Sequence, residues 1–247
     1  MITDAIAVGE RLSCVEVGAS TVETVVLEAD GTLVHRAPLA YAPEGQPLLI
    51  AVPGLVRGKR VLAASNLGWY DVDPAAMLGL DLTADLVCND AEAAALGESV
   101  LRPGHPDLVF IGLGTGVGGA VVSRGAAEAN LFAHGGDFSA LECGCGHVGC
   151  LETVAAGWAL PDVLTTDLLA RMANDIATAV RAEPHATPSL VVLAGGLTRQ
   201  HPSLIGLLAE ALPEREVVGT AAPDSKSAAA WGLRHLYSQH AHAVTHF

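Results

Sequence analysis

The stretch DLVFIGLGTGVGGAVVSRG, Asp107–Gly125, sets the reading of the chain. Two runs rich in β-branched and other apolar residues flank a glycine-rich turn, which predicts a pair of antiparallel strands joined by a tight loop. A stretch of the same build lies earlier, LSCVEVGASTVETVVLEADGTLVHRA (Leu12–Ala37), with EVGAS (Glu16–Ser20) in the place of the glycine loop. Inside it, Asp30-Gly31 is a hairpin signal between apolar strands. Each hairpin opens a lobe, so the chain reads as an internally duplicated α/β protein.

Outward from the hairpins, short strands are expected at LLIAVPG (Leu48–Gly54), RVLAAS (Arg60–Ser65) and SLVVLAGG (Ser189–Gly196). Helices are expected at AEAAALGESVL (Ala91–Leu101), TTDLLARMANDIATAVRA (Thr165–Ala182), PSLIGLLAEAL (Pro202–Leu212) and SKSAAAWGLRHLYSQH (Ser225–His240). This pattern gives a small N-terminal lobe over 1–104, closing at RPGHP, and a larger C-terminal lobe over 105–247 that carries the cysteine segment. The last helix is left free to pack back on the small lobe.

Over 247 residues, 51% apolar content with 16% charged residues is enough for a sizeable core. The formal charge of -14, from 13 basic and 27 acidic residues, argues against a nucleic-acid partner, which needs clustered Lys and Arg. MITDAIAVGERLSC lacks the basic start and the apolar run of a signal peptide, and no uncharged run reaches membrane-spanning length, so a soluble cytoplasmic protein is expected. In a reducing compartment, cysteines are expected as thiols or metal ligands rather than disulfides. Cys14 and Cys88, inside apolar runs, read as small buried hydrophobes.

Three loops suit an anionic ligand. GLGTGVGG offers five glycines whose N–H groups can converge on a phosphate, with Gly114, Thr115 and Gly116 at the turn; it holds no Walker-type lysine. In EVGAS the equivalent residues are Glu16, Gly18, Ala19 and Ser20, and LAGGL places Gly195 and Gly196 between a strand and a helix. Together they suggest a nucleotide. Asp90, at a strand-to-helix junction, suits two roles: helix cap, for which Asn89 is equally suited, or general base at a strand's carboxyl end.

CGCGHVGC (Cys143–Cys150) gathers three of the five cysteines. Cys143, Cys145 and Cys150 with His134 supply the three thiolates and one imidazole of a closed structural zinc site; His147 is the nearest alternative fourth ligand. A redox role suits the spacing less, since Cys-x-x-Cys is absent.

With these residues in view, the chain closely resembles the ROK family of sugar kinases and repressors, within the hexokinase and actin-like ATPase group. CGCGHVGCLE matches the family's CxCGxxGCxE signature. AVPGLV, NLGW, NDAEAAALGE, GLGTGVGG, LAGGL and AAPDSKSAAAWGL follow in the family's order, so the resemblance covers residues 12–240. It implies a two-lobed ribonuclease H-like, actin-like ATPase fold with a ligand cleft between the lobes. It also implies ATP-dependent phosphorylation of a hexose, aminosugar or sugar-like metabolite, with Mg²⁺ accompanying ATP and zinc bracing a loop. By the same resemblance Asp90 is the base, and Gly54, Asn66, Asn89, His134 and Glu152 lie near sugar. A homodimer is expected.

Four departures from the family pattern accompany the match. The ExGH motif reads LFAH, with Leu131 for the sugar-binding Glu. The DxGGT loop reads EVGAS, Glu92 stands where Asn is frequent, and the segments after Val34 and after Glu152 are compressed. The first two favour an alternative function, a catalytically weakened sugar-binding sensor or partner protein. Only about eleven residues precede the first strand, which together with the acidic charge disfavours a DNA-binding repressor.

Overall fold

Both hairpins form, and each opens a five-stranded sheet. The computed structural model describes residues 10–129 and 131–244, with the backbone alone for Leu131, Phe132 and 241–244. In chain order come β1 (Leu12–Val17), β2 (Val22–Leu27), β3 (Leu33–Ala37) and β4 (Leu48–Val52). A meander of β5 (Leu55–Arg57), β6 (Arg60–Ala64) and β7 (Trp69–Val72) follows, then α1 (Pro74–Met77), β8 (Leu86–Asn89) and α2 (Asp90–Val100). The second round runs β9 (Leu108–Leu113), β10 (Val117–Ser123), β11 (Ala126–Ala129), a 3-10 turn at Leu131–His134, α3 (Glu152–Ala155) and α4 (Thr166–Ala182). It ends with β12 (Leu190–Ala194), α5 (Gly196–Gln200), α6 (Ser203–Ala211), β13 (Glu216–Gly219) and α7 (Ser225–Val244).

The chain divides into two compact units, one reaching Val100 and resuming at Lys226, the other spanning Leu101–Ser225. Their sheets have the same topology, β3-β2-β1-β4-β8 and β11-β10-β9-β12-β13. In each, an antiparallel three-strand opening is followed by two strands running parallel to the first. The duplication expected from the two hairpins is therefore built into both sheets.

In the first unit, alternation along the strands sends Val15, Val17, Ile50 and Val52 to one face, where they pack with Val61, Ala64 and Ala75 from the meander and α1. Cys14 points to the other face, its Sγ 3.8 Å from the Ala230 carbonyl of α7. Helices α2 and α7 cross there almost backbone to backbone: a Cβ on Gly97 would lie 1.8 Å from the Ala228 oxygen, and one on Gly232 1.8 Å from the Ala93 oxygen. Small residues in both helices permit that approach. Between β3 and β4 the described chain has no helix, and Ala40 and Ala42 pack on the core directly.

In the second unit, Val109, Ile111 and Leu113 of β9 and Val191 and Leu193 of β12 share a core with Leu169, Met172, Ile176 and Val180 of α4 and Leu204 and Leu208 of α6. The three- and four-residue spacing on α4 makes the apolar stripe of a surface helix. Its start is fixed by Thr165, whose hydroxyl accepts the Leu168 N–H at 3.3 Å. The strands β5, β7, β11 and β13 and the short helix α1 have no counterpart among the expected elements. All are three or four residues long, too short to show a period.

Candidate active site

Asp90 stands where β8 passes into α2. The side-chain oxygen of Asn89 accepts the N–H groups of Ala91 and Glu92 at 2.9 and 3.1 Å, so capping falls to Asn89. The Asn89 amide then donates to the Gly54 carbonyl at 2.9 Å, tying the helix start to the turn after β4. Asp90 touches the Ala91 N–H at 2.9 Å through Oδ1. Burial, and next the charge of Glu16, push the Asp90 carboxyl up to about 7 against the lowering effect of that N–H. A carboxylate that takes up a proton near neutral pH has the property a general base needs. Asn66 lies on the exposed 3-10 turn Ser65–Leu67 after β6.

The first glycine loop closes tightly, the Gly18 N–H donating to the Thr21 carbonyl at 2.7 Å, with Ala19 and Ser20 exposed at its tip. Glu16 and Glu23 face each other in the β1–β2 register. Lys226, near the start of α7, brings its ammonium within 3.0 Å of Glu16 and 3.4 Å of Glu23, and donates to the Thr21 hydroxyl at 2.8 Å. Arg36 pairs with Glu23 from β3. The residues of this loop do not fit a protein-bound Mg²⁺. That ion needs an octahedron of oxygens at about 2.0–2.1 Å, and here an ammonium lies against the acid it would use. Sequence reasoning missed Lys226; the opposed pair Glu16 and Glu23, two like charges across a hairpin, was the signal that a cation is required.

In the second unit, the segment Cys143–Cys150 folds into a knuckle. The Cys143 N–H donates to the His147 carbonyl at 2.7 Å, and the Gly146 N–H to the Cys143 carbonyl at 2.8 Å. The ligand atoms of His134, Cys143, Cys145 and Cys150 all lie within 4.8 Å of one another. The Cys145 and Cys150 sulfurs are 3.6 Å apart and His134 Nδ1 is 3.5 Å from the Cys143 sulfur. A zinc tetrahedron with bonds of about 2.3 Å spaces its sulfurs about 3.8 Å apart, so this donor set fits zinc. Burial acts to raise the Cys145 thiol, yet the His147 N–H and imidazole and the neighbouring thiols bring it down to about 6, favouring the thiolate that a metal binds. His147 is exposed and stands outside the four-residue group, which leaves His134 as the imidazole. The Leu131 side chain lies outside the described residues.

Glu152, directly after the knuckle, accepts the Val117 N–H at 3.0 Å through Oε2 and the Trp158 indole N–H at 3.4 Å through Oε1. It thus staples the cysteine segment to the second glycine loop. That loop turns through a Gly114 N–H to Gly116 carbonyl bond of 3.0 Å, and the N–H groups of Gly157 and Trp158 bond the Gly114 and Thr115 carbonyls at 2.8 and 3.3 Å. Gly195 comes against the same loop's base: its φ is +102°, and a Cβ there would lie 2.1 Å from the Leu113 oxygen. A cleft of about 500 Å³ opens beside these loops, lined by Gly114, Thr115, Trp158, Gly196, Gln200 and His201 among others. That volume suits a small-molecule ligand. Trp158 and His201 escaped the sequence analysis, although Trp158 follows the CGCGHVGCLE signature by only six residues.

With fold and sites described, comparison with known proteins is decisive on class. The fold is that of the actin-like ATPase and hexokinase group. Over 92% of this chain and 98% of its own, the ROK family glucokinase from Streptomyces griseus, solved with glucose and AMPPNP, superposes with a TM-score of 0.66 at 20% identity. The inorganic polyphosphate/ATP-glucomannokinase from Arthrobacter sp. strain KM gives 0.65 at 20% identity, over 94% of this chain and 100% of its own. The ROK family profile matches residues 7–209, and the chain belongs to that family. N-acetylmannosamine kinase of Escherichia coli O9:H4 (strain HS) is 31% identical over 175 residues, 58% of this chain and 60% of that protein. The match thus spans about 60–67% of the length of these curated relatives. No helix among the described residues is long and apolar enough to cross a membrane.

Proposed function

We propose that the protein transfers the terminal phosphoryl group of ATP to a hydroxyl of a hexose, an aminosugar or a sugar-like metabolite. Asp90 takes up the hydroxyl proton as the sugar oxygen bonds to phosphorus; the bond from phosphorus to the bridging oxygen breaks, and ADP departs. Phosphoryl transfer asks the protein mainly for positioning and charge neutralisation, so one well-placed carboxylate and backbone donors for the phosphates meet its needs. ATP brings Mg²⁺ on its own phosphates; no step here is routed through that ion.

The observation that carries the proposal is Asp90 itself, raised to about 7 and set by the Asn89 cap at a strand's carboxyl end. In the first unit the sugar-side roles fall to Gly54, Asn66 and Asn89, and in the second to His134 and Glu152. Phosphate roles fall to Gly18, Ala19 and Ser20, to Gly114, Thr115 and Gly116, and to Gly195 and Gly196. Glu16 serves the first loop through its pairing with Lys226. Zinc, held by His134, Cys143, Cys145 and Cys150, braces the second loop through Glu152. The relatives' activity favours an aminosugar as acceptor. A cytoplasmic homodimer completes the proposal.

A second function, a sugar-binding sensor or partner protein with little catalysis, is favoured by the ammonium seated on Glu16. ADP release from ATP with a panel of hexoses and aminosugars separates the two. Acceptor-dependent ADP that vanishes in Asp90→Asn supports the kinase. Absence of ADP with every acceptor, alongside thermal stabilisation by a sugar, supports the sensor.

A further inference from the structure

We propose that Lys226 is a built-in countercation of the first glycine loop, seated by Glu16, Glu23 and Thr21 where a divalent ion would otherwise bind. Glu16 and Glu23 are opposite each other in the hairpin, with side chains only 16% and 15% exposed. Two carboxylates so placed repel, and water reaches them too little to screen the repulsion. Arg36 matches one of the two charges from β3. Lys226 brings a second positive charge: the three N–H bonds of its ammonium have three oxygens near them, the Thr21 hydroxyl at 2.8 Å and carboxylates at 3.0 and 3.4 Å.

Two carboxylates and a hydroxyl are hard oxygen donors, the kind that hold Mg²⁺ or Mn²⁺. An ammonium in their midst neutralises them without a metal, and keeps the loop's charge the same whatever the divalent ion concentration. A phosphate arriving at Gly18–Ser20 would meet a loop whose acids are neutralised by lysine rather than by a protein-bound metal. That last consequence rests on the proposed phosphate role of the loop; the identity of the countercation does not.

The test is a gain of function. Zinc-loaded full-length protein is titrated with Mn²⁺ alone, without sugar or nucleotide, and bound Mn²⁺ is read by electron paramagnetic resonance. The wild type is expected to show no site tighter than about 1 mM. Lys226→Met is expected to gain one site, which weakens about tenfold or more when Glu16→Gln is added. Should Lys226→Met fail to fold by circular dichroism, Lys226→Gln, which keeps a donor for Thr21, takes its place with the same expectation. The proposal is overturned if wild type binds Mn²⁺ as tightly as the variant with Glu16→Gln weakening both, or if a folded variant gains no site. Because no acceptor or ATP is present, a failure of the kinase assay leaves this result unaffected.

Discussion

The two glycine loops occupy the same place in sheets of the same topology, yet they are stabilised by opposite means. The first, after β1, carries acids and is neutralised by Lys226 from a helix near the chain's end. The second, after β9, carries no charge of its own and is held by Glu152, which accepts a backbone N–H and belongs to the zinc segment. Duplication therefore preserved the frame while the chemistry at the turn diverged. The first loop is controlled by side-chain charge, the second by hydrogen bonds to Glu152 beside the His134, Cys143, Cys145 and Cys150 cluster.

The largest way to break this contrast is to remove the zinc. Chelation, or Cys145→Ser, is expected to cost several kcal/mol, because a structural metal's binding energy is folding energy. Hydrogen exchange should show the loss in the second unit, with the β1–β2 hairpin protected as before. Equal loss of protection at the first loop would end the contrast. Crowding comes next. Gly195→Ala would drive a Cβ to 2.1 Å from a backbone oxygen at positive φ, for about 1–3 kcal/mol, whereas Gly18→Ala meets its nearest atoms at 3.3 Å and should cost well under that. Denaturant melts of the two variants give the comparison directly. Glu152→Ala strips Val117 of its acceptor and should cost about 1–3 kcal/mol, with hydrogen-exchange protection of the β1–β2 hairpin unchanged.

How far the sequence carries depends on the range of the forces involved. The hairpins, α2, α4, α6 and α7 were legible because period, turn residues and helix formers act locally. The Cys/His cluster was legible because three of its members lie in eight residues, and the fold brings His134, the fourth residue expected, to within 4.8 Å of them. Asn89 and Asp90 were not separable from sequence: both residue types cap helices, and only the Ala91 and Glu92 N–H groups, both donating to Asn89, show which one does. Lys226 was invisible at its role because it meets Thr21 across 205 residues of chain. Trp158 had the same difficulty in milder form, gaining its place through the fold of the loops around it.

A separate expected effect concerns Asp90 and pH. Its folded value lies near 7 while a free Asp titrates near 3.8, so between those limits the folded state holds the proton more tightly than the unfolded one. Stability is then favoured below that window and declines as pH rises through it. Asp90→Asn should melt above wild type at about pH 8, and the gap should close by about pH 4. A gap that widens toward acid would contradict the assignment of the raised carboxyl.

The central claim is that Asp90 is the base in phosphoryl transfer to a sugar, and the pH dependence of kcat/KM for the best acceptor tests it most directly. Wild-type activity should rise with pH through an apparent pKa of about 7, as the carboxyl ionises. Asp90→Asn should fall by a factor of about 10²–10⁴ and lose that rise. Turnover in Asp90→Asn matching wild type, or a variant that keeps the same acidic limb, would contradict the account.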